Sequence, residues 1–173
     1  MSGWDSYRAV YGAELRAAAR ECTDHGWPVI EAAETTLLLV TGTALDVLEM
    51  PAALGRRVCT QLRDAGAVVP LAATPTGAWW FPVTPGAELP VELRAASGVV
   101  LHGDGVTVPA PPSETPDGWV HWRVAPALCG YRLPVATTIF HAVIDAVRWR
   151  ADHDGHPGTQ RPAGAVVVGV RSA

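Results

Sequence analysis

The sequence contains no lysine, because all 13 of its basic residues are arginine. This absence excludes Schiff-base catalysis and the lysine-containing phosphate loop, since both chemistries need a lysine ammonium group. Positive charge is also in deficit overall, with a formal net charge of −4 and a pI of about 5.8. A protein that neutralises many phosphates needs a broad basic face. We therefore expect no strong non-specific binding of nucleic acid.

Cysteine is also scarce, and long apolar runs are missing. Cys22, Cys59 and Cys129 are an odd number without CxxC spacing, which favours buried, reduced thiols over disulfides or a zinc site. No segment approaches the roughly 20 consecutive apolar residues that cross a bilayer, and the N-terminus lacks the apolar centre of a signal peptide. These absences predict a soluble, cytoplasmic protein that does not associate with membranes.

The abundant residues include alanine, glycine, proline, valine and arginine, a bias typical of a GC-rich, actinobacterial-type genome. Hydrophobic residues make up 49% of the 173 positions, which is enough for one sizeable core. Hydrophobic periodicity predicts three helices, over 5–25, 51–66 and 135–155, and short strands within 35–51 and 67–123. This order predicts an α/β (α+β) fold, a two-layer sandwich with a mixed sheet flanked by helices.

The punctuation of the sequence sets the expected boundaries. We assign one domain to residues 1–155, because no linker or repeat interrupts them. Residues 156–173 are rich in proline and glycine around one apolar patch, which is typical of a late strand or a C-terminal tail. The Asp104-Gly105 dipeptide lies between two apolar runs and predicts a two-residue hairpin turn.

Aromatic residues are concentrated in TPTGAWWFPV, residues 74–83, which holds two of the seven tryptophans and one of the two phenylalanines. Trp79 and Trp80 would occupy adjacent strand positions, so we expect their rings to point to opposite faces of a sheet. One ring can then join the core while the other borders a surface site. Packing or stacking on a ligand can each explain the second ring, and packing is the commoner use of an aromatic side chain.

A series of short motifs resembles one known family. The motifs occur in the order GWPV, VTG, DVLEMPA, ATPTG, GDGVTVPAPPS and WVHW, between about residues 13 and 125. They are similar to the bifunctional DNA primase/polymerase N-terminal domains, the primase-polymerase branch of the archaeo-eukaryotic primase superfamily. The resemblance implies a primase-polymerase-like fold with an RRM-like sheet. It also implies a site that binds a nucleotide and two divalent metal ions and extends strands on a DNA template.

Most positions that the resemblance implies for catalysis are changed in this sequence. The family uses two carboxylates separated by one residue, which share a strand face and hold the metal pair. Here Glu49 matches the first carboxylate and Pro51 the second. Trp80 matches a phosphate-contacting histidine, Val100 a third acidic residue, and His102 a position that is often arginine. With one carboxylate left, we expect no polymerase activity and no cofactor, with Mg²⁺ or Mn²⁺ bound only if residual activity exists.

Other polar residues are weaker candidates. Asp46 precedes Glu49 by three positions and would face the other side of a strand, which excludes it as the partner carboxylate. His121 and Arg123 alternate on a predicted strand and could meet an anion, although a half-exposed sheet edge is the simpler explanation. The candidate residues of a cleft are therefore Glu49, Pro51, Trp80, Val100, His102, His121 and Arg123.

Polar residues with metal-binding side chains also collect at the end of the last predicted helix: His153, Asp154 and His156. Helix ends commonly carry polar residues, so we predict no metal site there.

Three classes of function are compatible with these observations. The first is a catalytically degenerate primase-polymerase-like domain that binds a nucleotide, a nucleic acid or a protein partner. The second is an enzyme whose cleft is repurposed for a small molecule, for example in secondary metabolism, since function depends on sites and not on folds. The third is a residual DNA primase/polymerase nucleotidyltransferase. The loss of carboxylates favours the first class.

Overall fold

The structure is a computed structural model that describes residues 3–96 and 98–154. Within these ranges the chain forms α-helices, β-strands and a 3₁₀ helix at Pro126–Cys129. The helices are α1 (Gly3–Asp24), α2 (Ala52–Asp64), α3 (Val91–Arg94) and α4 (Ala136–Asp154). The strands are β1 (Val29–Ala33), β2 (Thr36–Val40), β3 (Asp46–Pro51), β4 (Leu71–Ala73), β5 (Ala78–Val83), β6 (Val100–His102), β7 (Thr107–Ala110), β8 (Ser113–Thr115) and β9 (Gly118–Val124). No helix in the described part of the chain has the length and apolar character to span a membrane.

The strands form two sheets. The larger sheet has six strands in the order β6-β3-β5-β4-β9-β8, and the smaller one has three in the order β1-β2-β7. Every strand pairing among the described residues is antiparallel. The prediction of a mixed sheet, with parallel and antiparallel pairs, is therefore wrong. Hairpins join β4 to β5 and β8 to β9, and these local connections require antiparallel pairing. The α/β character and the three long helices are confirmed.

One face of the six-stranded sheet, here named the helix-side face, is covered by α2 and α4. Strand alternation directs Leu48, Met50 and Phe81 to this face, and all three side chains are fully buried. The buried residues of α4 that join the same cluster include Ile139, Phe140 and Val143. This layer is the main hydrophobic core, and it holds the six-stranded sheet in place beneath the helices.

The opposite face, here named the open face, is covered only in part by α1 and the three-stranded sheet. Val47 of β3 points to this face and is buried together with Leu37 and Leu39 of β2. α1 contributes Leu15 and Cys22 to the same cluster. The six-stranded sheet is therefore packed on both sides, but the second layer is smaller than the first.

Hydrogen bonds of two side chains fasten this second layer. The Tyr11 hydroxyl group lies 2.6 Å from the carbonyl oxygen of Pro112 and 3.1 Å from that of Thr35. The buried Ser113 hydroxyl accepts a hydrogen bond from the Leu37 N–H at 2.9 Å and donates one to the Leu37 carbonyl at 3.0 Å. The APPS segment thereby joins β2 to the region between the two sheets.

The Asp104-Gly105 turn forms, but the hairpin predicted around it is wrong. Both residues have positive φ values, 53° and 78°, as such a turn requires. The flanking strands then separate, because β6 pairs with β3 and β7 pairs with β2. The Gly105 N–H donates to the Thr41 carbonyl, and the Thr41 N–H donates to the Val106 carbonyl, both at 2.9 Å. The turn therefore links the two sheets, and long-range pairing replaces the local pairing that the sequence favours.

Besides the 3₁₀ helix at Pro126–Cys129, two elements occupy positions where none is predicted. β1 is an edge strand of mostly exposed residues, so its sequence shows no regular alternation of apolar side chains. α3 is a single turn after Pro90, with Leu93 as its buried residue, and is too short to show a helical period. The predicted late strand or tail at 156–173 lies outside the described residues.

Candidate functional site

The strands that carry the main candidate residues are neighbours at one side of the six-stranded sheet. Glu49 of β3 lies directly opposite Trp80 of β5 and directly opposite Val100 of β6. Directly opposed residues of antiparallel strands share a face, so these three positions form one row across three strands. His102 lies opposite Val47, diagonally across from Glu49 on the same face. These four of the seven cleft candidates therefore lie on one face of the sheet.

Glu49 is held by its two polar neighbours. Its Oε2 accepts a hydrogen bond from the Trp80 indole N–H at 3.0 Å and lies 2.8 Å from Nε2 of His102, which donates in its Nε2–H tautomer. Side chains from three strands thus meet at one carboxylate oxygen, and we name Glu49, Trp80 and His102 the open-face triad. No other described residue bonds to the Glu49 carboxylate, so Oε1 can accept a hydrogen bond from a ligand.

The triad lies where the open face emerges from beneath the three-stranded sheet. Along β3, Val47 is 1% exposed, the Glu49 side chain is 29% exposed, and Pro51 is exposed. Across the sheet, Trp80 is half-buried and Val100 is 44% exposed. A half-buried indole can contact the core through one part of its ring and a ligand through another. The surroundings of Trp80 are polar, because the Glu49 carboxylate bonds to its indole and the His102 imidazole bonds to the same carboxylate.

The described residues contain no group of three or more His, Cys, Asp or Glu side chains that could hold a metal ion. Pro51 and Val100 have no oxygen or nitrogen side-chain ligand to offer. Asp46 lies opposite Val83, which belongs to the main hydrophobic core on the helix-side face. Asp46 and Glu49 therefore point to opposite faces of the sheet, as the sequence predicts. The carboxylate of Asp46 is buried and accepts hydrogen bonds from the backbone N–H groups of Gly42 and Gly86, each at 3.0 Å.

A cavity of about 650 Å³ lies beside the edge strand β6. Asp46, Arg94 and Val100 are among its lining residues. Of the seven candidates, all of which lie within the described ranges, Val100 alone lines this cavity. The open-face triad is therefore a surface site beside the cavity and not its floor.

His121 and Arg123 do not join the triad. His121 is exposed and lies opposite Ala73, which belongs to the helix-side core. The guanidinium carbon of Arg123 lies 4.6 Å from the ring centre of Trp79, the tryptophan on the helix-side face. The two residues are thus on the other side of the sheet from Glu49, and the seven candidates do not form a single cleft.

A second group of residues surrounds Trp79, and Arg123 is the one member of this group that the sequence pattern singles out. Arg56, Cys59 and Arg63 of α2 line a pocket of about 480 Å³ together with Trp79 and Arg123. The two helix arginines belong to the polar side of an amphipathic helix and so are typical of a solvated surface. Their spacing of seven residues, which returns to the same side of a helix, is the signal that could have paired them.

The three cysteines are free thiols, as expected from the sequence. Burial raises the pKa of Cys22 to about 11, with a smaller contribution from the negative charge of Glu21. Burial also raises the pKa values of Cys59 and Cys129, while the positive charge of Arg123 partly opposes the effect at Cys59. These thiols are therefore poor nucleophiles near neutral pH.

The open-face triad offers two kinds of chemistry. The half-exposed indole of Trp80 provides a planar surface, and the free oxygen of Glu49 accepts hydrogen bonds. His102, oriented by Glu49, can transfer a proton through its ring.

Comparison of the chain with family models, with curated proteins and with solved structures finds no match in any of the three.

Proposed function

We propose that this chain is a primase-polymerase-like domain that has lost nucleotidyl transfer and works as a binding module. Its ligand contacts the open-face triad and Val100. The observation that carries the proposal is the row of Val100, Glu49 and Trp80 across three strands. Three separate motifs of the family resemblance select these positions, and the strand register makes them direct neighbours. This register supports the resemblance.

The order of the elements supports the same proposal. β3, α2, β4, β5, α3 and β6 follow one another as a βαββαβ unit, and the four strands have the spatial order β6-β3-β5-β4. This arrangement is the split βαβ, or ferredoxin-like, pattern. It agrees with the RRM-like sheet that the resemblance implies.

The hydrogen bonds of Glu49 support the proposed loss of nucleotidyl transfer. A two-metal reaction needs several oxygen ligands that hold both ions at the attacking and leaving oxygens. In this chain one oxygen of the single remaining carboxylate is engaged by Trp80 and His102. The positions of the other two carboxylates carry Pro51 and Val100, so the row cannot hold a metal pair.

The chemistry of the triad favours an uncharged planar ring over a phosphate group. The carboxylate of Glu49 repels an anion, whereas its free oxygen accepts an N–H or O–H donor from a ring substituent. Trp80 supplies a stacking surface, and Val100 extends it with an exposed apolar side chain. A nucleobase or a similar heterocycle has both features.

The proposal is tested by calorimetric titration with the four ribonucleosides and with their triphosphates, without metal and with Mn²⁺. We expect a nucleoside to bind without metal, with an affinity that changes little with salt because no ion pair forms. Trp80→Ala should weaken this binding about ten- to a hundredfold, the loss expected for one stacked base. Trp119→Ala is the matched control, because Trp119 is an exposed tryptophan of β9 outside the triad.

Two results would overturn the proposal. One is binding of none of these compounds. The other is primer extension in the presence of Mn²⁺ that is lost in Glu49→Gln, which would show that the catalytic site is retained.

The 2.8 Å contact between Glu49 and His102 favours a second candidate function, an enzyme that uses His102 as a general acid or base. A carboxylate that fixes the tautomer of a histidine is a common arrangement for proton transfer. His102→Gln distinguishes the two functions. A binding module keeps its ligand with a modest change in affinity, whereas an enzyme still binds its ligand but no longer converts it, which product analysis by mass spectrometry detects.

A further inference from the structure

A second concave site lies on the helix-side face, separated from the open-face triad by the thickness of the sheet. It has a volume of about 480 Å³, within the range of small-molecule sites. Its floor is apolar and includes Leu62, Leu71 and Trp79, which are 5%, 2% and 7% exposed. We name this site the arginine pocket.

Three arginines surround this apolar floor. Arg56 and Arg63 come from α2 and Arg123 from β9, and all three are exposed. No aspartate or glutamate is among the described residues that line the pocket. The protein as a whole has a formal net charge of −4, so this is a local concentration of positive charge on an acidic protein.

The positive charges of these three guanidinium groups are scarcely neutralised by acidic side chains of the described residues. Arg56 and Arg123 form no ion pair with any described residue, and Arg63 meets only the exposed Asp64 at 3.8 Å. An exposed ion pair of this kind contributes little. Arg123 lies over the Trp79 ring, so one positive charge is held directly above the apolar floor. The pocket therefore combines uncompensated positive charge at its rim with a buried hydrophobic surface.

We propose that the arginine pocket binds a small amphipathic anion, a molecule with one carboxylate or phosphate group on an apolar body. The anionic group contacts the guanidinium groups at the rim, since arginine forms strong, directional hydrogen bonds to such oxygens. The apolar body lies against Leu71 and Trp79. This site is independent of the proposed function of the triad, because it uses other residues on the other face of the sheet.

Cys59 provides a reporter in the native protein. Its half-buried thiol lines the pocket, whereas the half-buried Cys129 thiol is not among the residues that line it. We use octanoate and 2-naphthoate as probes, 1-octanol as an uncharged analogue, and inorganic phosphate as an anion without an apolar body. Alkylation by N-ethylmaleimide at pH 8 is followed at each cysteine by peptide mass spectrometry.

At least one of the two carboxylates should slow alkylation of Cys59 five-fold or more in a saturable manner, with Cys129 unchanged. Octanol and phosphate should give less than a two-fold effect at the same concentration. Arg56→Gln and Arg123→Gln should each raise the concentration needed for half-maximal protection at least five-fold. Rates with and without probe are compared within each variant, because Arg123 itself lowers the pKa of Cys59.

Arg57→Gln is the matched control. Arg57 is adjacent to Arg56 on α2, but its guanidinium lies over the Trp149 ring and outside the pocket. Equal loss of protection in Arg57→Gln would overturn the proposal, as would equal protection by octanol or no saturable protection by either carboxylate. Protection that rises with protein concentration in the absence of probe would also overturn it, because a second copy of the chain would then occupy the pocket.

Discussion

Trp79 and Trp80 are consecutive and chemically identical, yet they meet opposite environments. Trp79 is 7% exposed, packs against α2 and lies beneath the guanidinium of Arg123. Trp80 is half-buried on the open face and donates its indole N–H to Glu49. Strand alternation determines which ring faces which side, and the covering elements determine how deeply each is buried. The comparison shows that one aromatic pair supplies a core residue to one layer and a surface residue to the other.

The largest expected difference is in stability. Trp79→Ala should reduce the free energy of unfolding by about 3 to 5 kcal/mol, because it leaves a cavity in the main core. Trp80→Ala should reduce it by only about 1 to 2 kcal/mol, because the Trp80 side chain is only partly buried and packs at the edge of the smaller hydrophobic cluster. Urea unfolding of the two variants measures both values. Equal losses would show that the open face is packed as tightly as the helix-side face.

A second difference concerns alkaline pH and the thiols on the two sides of the sheet. The pKa of Cys22, in the open-face core, is raised from 9.0 to about 11 in the folded protein. The folded state therefore holds its proton more tightly, and this contribution is fully present below pH 9. It is lost between about pH 9 and 11, and the free energy of unfolding should fall by about 2 to 3 kcal/mol in that window.

Urea unfolding at pH 8, 9, 10 and 11 measures this loss of stability. Cys22→Ala should remove most of it. Cys59→Ala, on the helix-side face, should remove less, because Arg123 opposes the effect of burial there. Burial and a hydrogen bond to Glu21 also raise the pKa of Tyr131, but this residue is present in all the variants compared. An unchanged pH profile in Cys22→Ala would contradict the assignment.

The close packing of Trp79 gives a third test. A Cβ atom added to Gly55 of α2 would lie 2.6 Å from Cε3 of Trp79. Alanine in a helix is normally about 1 kcal/mol more favourable than glycine. At Gly55 the clash should reverse this preference and destabilise the protein by about 1 to 3 kcal/mol. Gly12→Ala in α1 is the control, because its Cβ meets only the flexible end of Arg16 at 3.4 Å, so this variant should gain stability in thermal unfolding. A gain in both variants would show that Trp79 moves freely away from α2.

Much of this comparison follows from sequence patterns, because alternation on a strand is a local property. The long helices, the strand that contains Glu49 and the opposite orientation of the two indoles are all local features, and the structure confirms them. The convergence of Glu49, Trp80 and Val100 is not local. The motif positions assign these residues to one cleft, and the register of β6, β3 and β5 places them side by side on one face of the sheet.

The features that escape prediction depend on partners distant in sequence. The Asp104-Gly105 turn has the local geometry of a hairpin. Its flanking strands, β6 and β7, nevertheless pair with β3 and β2 and not with each other. Arg123 alternates with His121 as expected, but the alternation does not predict which face of the sheet the two side chains occupy. It also does not predict that Arg56 of α2 lines the same pocket as Arg123. The bond between Glu49 and His102 likewise depends on a diagonal register between two strands. Such pairings require the tertiary structure, since periodicity assigns a side to each residue but no neighbour.

The smallest expected effect isolates the hydrogen bond that distinguishes Trp80 from Trp79. Trp80→Phe keeps an aromatic ring but removes the N–H donor, and Glu49→Ala removes the acceptor. A double-mutant cycle of these changes, measured by urea unfolding at pH 7, should give a coupling energy of about 1 kcal/mol, the usual net value of such a bond at a half-buried site. The same cycle with Trp79→Phe and Glu49→Ala should give a coupling near zero, because the Trp79 ring lies on the other face of the sheet. Equal coupling in both cycles would mean that Glu49 influences β5 through the backbone of the strand. Coupling confined to Trp80 means that the carboxylate acts through the indole, which is then held with its ring presented to the open face.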